Sequence, residues 1–177
     1  MTADGPVGGI ADRSGAGAAD PWQHRVYAAE HAALPEGGRR FRRFAEVEAF
    51  VADALADPWW AATFPAAPVE VDVLRRSRGA TFSAAHVTPD GTAAAVWIRD
   101  GSWDAATVVH ELAHVAVGRG RALAPAPPEP HGPEFVAALL ALWRRHLGAH
   151  AYGALRSALE DHGVPTQRPR RDGTPGR

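Results

Sequence analysis

The chain contains no cysteine among its 177 residues. No disulfide can staple it, and any zinc site has to be assembled from His, Asp and Glu. Lysine is missing too: all 19 basic residues are arginine, which together with abundant Ala, Gly and Pro points to a GC-rich genome and to no particular function. Long apolar runs are also lacking. Even the run that includes Val136 to Trp143 is far shorter than the roughly 20 residues of a membrane-spanning helix. Neither sign of charge dominates: the 20 acidic residues leave a formal net charge of -1, a balance that calls for neither nucleic acid nor an anionic membrane as partner. The first twenty residues have no basic start and no apolar core of the kind a secretory signal needs. The expectation is a cytoplasmic protein.

What is present suits one packed domain, since 46% hydrophobic and 22% charged residues are ordinary globular proportions. Residues 1–20 and 164–177 are poor in groups to bury and read as disordered tails around a domain at 21–163. The run Arg168-Pro169-Arg170-Arg171 is read as a solvated part of the second tail. Asp20 as N-cap, Pro21 at the first position, and Trp22, Val26 and Ala29 at helical spacing predict a helix to about Leu34. A second is expected from Phe44 to Ala56, stopped by Asp57-Pro58, with Val47, Phe50, Val51 and Leu55 or Ala54 inward. The segment from Trp59-Trp60 to Pro68 reads as an aromatic loop capping the core. Alternation then predicts strands at Val69–Val73, Ala80–Val87 and Ala93–Arg99, the last two joined by a turn at Thr88-Pro89-Asp90-Gly91. A helix from Trp103 to Val117 follows, capped by Ser102 or Asp104 and closed by Gly118. The proline-rich stretch Arg119 to Pro130 cannot continue it. Two more helices are expected, one opening near Pro133 and running to about Leu147, one from His150 to His162. The fold class is α+β: a small, mostly antiparallel three-stranded sheet packed with the 103–117 helix and several others.

That helix carries His110-Glu111-Leu112-Ala113-His114. Residues four apart in a helix differ by about 40° around the axis and lie one turn apart, so His110 and His114 share a face and can bind one metal ion. Glu111 lies about 100° round from His110, beside the ion and free to accept a proton from a coordinated water. Val108, Leu112 and Val115 on the opposite side anchor the helix in the core. Catalytic zinc takes three protein ligands and keeps one position open, so a third must come from elsewhere. His131, after the proline-rich loop and before Gly132, is the candidate, with Glu134 and Glu129 as alternatives. Zinc would acidify the water and polarise a carbonyl, Glu111 would act as general base, and Tyr152, Tyr27, His150 or an Arg would stabilise the oxyanion. His86 and His146 read as core or rim residues, and His24, His31 and His162 as solvent-facing.

HELAH followed sixteen residues later by HGPEF resembles the SprT-like (Spartan-type) zinc metalloprotease domain, in which a His-Gly-x-x-Phe segment supplies the third ligand. From the Arg25-Val26-Tyr27-Ala28-Ala29-Glu30 region through HGPEF, roughly residues 21–163, the chain also resembles a family of small, uncharacterised metallohydrolases of high-GC Gram-positive bacteria. The resemblance implies a compact zincin-like fold, one Zn²⁺ held by His110, His114 and His131, Glu111 as catalytic base, and a protein or peptide substrate. The chain departs from crosslink-cleaving SprT-like proteases in having no cysteine for a zinc ribbon and no strongly basic module. Strand Ala93–Arg99, as a sheet edge, is expected to align an extended peptide. The rival reading is a non-catalytic interaction module in which zinc only fastens helices together.

Overall fold

A computed structural model of the chain describes residues 20–166. The expected tails lie outside the described residues, except at their inner ends. Asp20 belongs to the site described below. Val164 is buried and donates its N–H to Leu159 O at 2.8 Å, so packing continues past the boundary expected at 163.

The element order is α1 (Gln23–Ala33), α2 (Phe44–Ala56), α3 (Pro58–Thr63), β1 (Glu70–Arg76), β2 (Ala84–Val87), β3 (Ala93–Arg99), α4 (Ala105–Ala122), α5 (Pro133–Leu142) and α6 (Gly148–Asp161), with a π-helical turn at Trp143–Leu147 between the last two. The α+β class stands. The expected aromatic loop contains a short helix, α3, started by Asp57, whose side chain accepts from Trp59 N, with Pro58 at the first position. Trp60 is buried, as the capping role required.

The sheet is mixed rather than mostly antiparallel, with strand order β1-β3-β2. β1 runs parallel to β3 over its whole length, from Glu70 opposite Ala93 to Arg76 opposite Arg99, and only the β2–β3 hairpin is antiparallel. The Thr88–Gly91 turn is as expected, with Gly91 at φ 71° and its N–H bonded to Thr88 O. Strand β3 is therefore central, buried on alternate residues Ala94, Val96 and Ile98. Its backbone is committed on both sides, which removes it as a template for a peptide.

Helix α4 begins as the sequence indicates, with Asp104 accepting from Thr107 N at 2.9 Å. Two further first-turn amides, of Ala105 and Ala106, donate to the carbonyls of Arg39 and Gly37, so the 37–41 segment fixes this end. The helix does not stop at Gly118 but runs to Ala122. The glycine serves close approach instead: a Cβ there would lie 2.2 Å from Val87 Cγ2, so its absence lets α4 pass against β2. Val108, Leu112 and Val115 are fully buried. Helix α5 packs along α4, and α1 packs along α6 with Val26 and Ala29 buried.

Candidate metal centre

Three histidines converge. One ligand atom from each of His110, His114 and His131 lies within 4.8 Å of the other two, and together they could hold a metal ion. The first two come from adjacent turns of α4, and the third from the residue before Gly132, the N-cap of α5. Glu129 and Glu134, the alternatives to His131, are both exposed and outside the cluster. Phe135 lies against all three rings, with centroids 5.0, 4.3 and 4.8 Å from those of His110, His114 and His131. It is buried and forms an apolar wall that restricts how the imidazoles can turn.

Two carboxylates orient two of these rings. His110 Nδ1 donates to Glu30 Oε2 at 2.8 Å, and His131 Nδ1 donates to Asp20 Oδ2 at 2.7 Å. Asp20 also accepts from His131 N at 3.1 Å and, through its other oxygen, from Trp22 N at 3.0 Å, so it ties the start of α1 to the start of α5. An ionised carboxylate only accepts, so each Nδ1 carries the proton and each Nε2 of a neutral imidazole presents a lone pair. These Nε2 atoms lie 3.3 Å apart. At that separation the two atoms either share a proton or face a common cation. Two ligand atoms on one tetrahedral metal ion stand about 3.3 Å apart, the separation of this pair.

The electrostatics distinguish the three rings. Burial pulls His110 down, but the charge and hydrogen bond of Glu30 outweigh it and raise its pKa above the ordinary value. Burial, and any charge on His110, push His131 down to about 4, against the pull of Asp20. His114 is pushed down by burial, then by His110 and His131. The latter two are thus neutral and available as ligands near pH 7.

Glu111 is 3% exposed, and its Oε2 has no hydrogen-bond partner. Burial raises its pKa to about 7, Glu30 adds to this, and His110 and Arg76 oppose it. A buried carboxylate with a free oxygen beside three imidazoles is placed to exchange a proton with something bound there. Of the proposed oxyanion donors, Tyr27 is at the site, and an arginine, Arg121, lines a cavity with it. The Tyr27 ring stacks on His110 at 4.8 Å and 15°, and burial, with the charges of Glu111 and Glu30, raises its pKa far above the ordinary value, so its hydroxyl keeps its proton. Tyr152 lies under Arg144 beside a different cavity, and His150 is exposed on α6.

A cleft crosses the site. Cavities of about 380 and 490 Å³ meet over it, sharing Tyr27, Phe82, Ser83 and Glu111. The smaller extends past Glu30, Glu36 and Asp104, and the larger past His114 and His131 along β2. His86 is exposed on the rim of the larger, and His146 packs between Phe50 and Trp59 away from the centre. His24, His31 and His162 are exposed, as expected. No helix among the described residues is long and apolar enough to cross a membrane.

The sequence reading missed Asp20 and Glu30 as partners of the histidines. Asp20 was read only as a helix cap at the edge of a tail. A signal for Glu30 was present: Gln23, Tyr27 and Glu30 stand at i, i+4 and i+7, a polar stripe beside the buried Val26 and Ala29. A polar stripe bordering the apolar one on a packed helix is where side chains reach a neighbouring site. No family model matches the chain, and neither a curated protein nor a solved structure matches it.

Proposed function

We propose that the chain is a zinc-dependent hydrolase, and specifically a metallopeptidase. The observation that carries the reading is the pair of Nε2 atoms 3.3 Å apart, each on a ring whose Nδ1 proton is held by a carboxylate, beside a buried glutamate with a free oxygen. His110, His114 and His131 would hold the ion. Bound there, zinc would supply Lewis acidity to the attacking water and to the carbonyl.

The chain's own residues do the rest. Glu30 and Asp20 keep His110 and His131 in the tautomer that exposes Nε2. Glu111 takes a proton from the attacking water as it adds to the carbonyl carbon and returns it to the amine as the C–N bond breaks. Tyr27, protonated throughout, is the candidate donor to the oxygen that gains charge. Strand β2, Ala84–Val87, lines the cleft and among the described residues has β3 as its sole strand partner, so its other edge could pair with an extended peptide. An open cleft along a sheet edge favours a peptidase over a zinc-fastened module, which needs no access for substrate.

Replacing Glu111 with Gln tests this. Hydrolysis of a peptide library should fall by roughly 10² to 10⁴, while zinc content and melting temperature stay close to those of the original protein. Activity that survives the change sinks the mechanism, and protein that takes up no divalent metal sinks both zinc readings.

A further inference from the structure

The larger cavity contains a cation that has no partner among the described residues. Arg121 is seven residues beyond His114 on α4, about 20° from it around the axis and about 10.5 Å along it. Helical side chains lean toward the N-terminus, which directs Arg121 back along the face that carries His114 and His110. It lines the same cavity as His114, His131 and Glu111, and its charge is among the influences that lower the pKa of both His114 and His131. The side chain is half-buried, and among the described residues it makes no ion pair or side-chain hydrogen bond. Asp20 and Glu134 act on it only at longer range. Among the described residues Glu111 is the one carboxylate lining this cavity, whereas the other end of the cleft has Glu30, Glu36 and Asp104.

A partly desolvated guanidinium left unpaired is costly, and its planar fork matches a carboxylate. Here it stands at one end of a cleft whose opposite end is acidic. Resting on the peptidase reading, we infer that Arg121 binds a substrate carboxylate, selecting peptides whose C-terminus lies close to the bond that is cut. At about 3.3 Å per extended residue, the reach from the histidines to Arg121 spans about two or three residues. The substrate class is then short peptides, or the last residues of longer chains. An acidic side chain at the same place offers the same chemistry.

Binding can be measured apart from catalysis in the Glu111→Gln background, with zinc added. The probes are N-acetyl-trialanine with a free C-terminus, its C-terminal amide, and an amide with Asp as last residue, titrated calorimetrically at low salt. The free acid should bind at least about tenfold more tightly than the amide. Adding Arg121→Gln should erase the difference, Arg121→Lys should keep part of it, and salt should shrink it. Tight binding of the Asp amide alone would assign the site to an acidic side chain and overturn the C-terminal selection. Equal binding of acid and amide, a preference that survives Arg121→Gln, or binding of none of the probes overturns the inference altogether. If the unmodified protein hydrolyses no peptide while the Arg121-dependent preference persists, the peptidase reading fails and the carboxylate site stands.

Discussion

Glu30 is the residue whose removal most directly probes how the centre is built. Its side chain is 11% exposed and accepts from His110 Nδ1 at 2.8 Å. A hydrogen bond to a charged partner contributes about 1.5–3 kcal/mol net, and loss of an outer carboxylate commonly lowers metal affinity 10- to 100-fold, or about 1.4–2.7 kcal/mol. The two routes agree on about 2 kcal/mol. Glu30→Gln keeps an acceptor oxygen of the same reach but loses the charge, so zinc affinity should fall about tenfold. Glu30→Ala leaves a buried Nδ1–H without an acceptor and frees the ring to turn, so its loss should approach 100-fold. Competition against a chromophoric zinc chelator measures both. Glu36→Gln, which removes an exposed carboxylate from the same end of the cleft, is the control and should change affinity little. If Glu30→Ala binds zinc as tightly as the original, or if Glu36→Gln loses as much, orientation of His110 by Glu30 is not what the centre depends on.

Two more results should follow from the geometry. Gly118→Ala adds a methyl 2.2 Å from Val87 Cγ2, and overpacking of about 1–3 kcal/mol should exceed the helix-propensity gain of about 1 kcal/mol. Denaturant unfolding should show a loss for Gly118→Ala that Val87→Ala partly repairs, and a gain for Gly120→Ala, where a Cβ meets nothing within 4 Å. For the third ligand, His131→Ala should lose more zinc affinity than the Glu30 variants, whereas Glu134→Ala should hold the metal normally. Metal content after gel filtration decides between them, and the opposite order would move the third ligand to Glu134.

The parts of the site that sequence made legible are those set by local geometry. His110 and His114 share a face because a helix has 3.6 residues per turn, and the proline-rich loop with Gly132 marks where the chain returns with His131. The carboxylates behind them were not legible, since Glu30 and Asp20 stand 80 and 111 residues away from their histidines and reach them only through packing of α1. Strand order was hidden for a related reason. Alternation in Val69–Val73 and Ala93–Arg99 says which residues share a face but not which strands are neighbours, and a β1–β3 pairing that skips β2 is a matter of tertiary packing. Gly118 misled because a glycine late in a helix signals either an end or a close approach, and only the position of Val87 decides.

The division of labour among the segments bears on how metal and fold are coupled. His110 and His114 lie on a helix whose far side is fully buried and whose first amides are capped by Asp104, Gly37 and Arg39. His131 is tied to α1 by Asp20, and α1 is held against α6 through Val26 and Ala29 rather than through a ligand. Each side chain of the centre therefore hangs on an element with its own reason to be in place. A site of that kind spends little of its binding free energy on ordering the chain. Metal should then raise the melting temperature by mass action on an already folded protein, in contrast to small zinc domains that are unfolded without their ion. A metal-free protein lacking cooperative unfolding would contradict this and would make the ion a structural requirement of the fold.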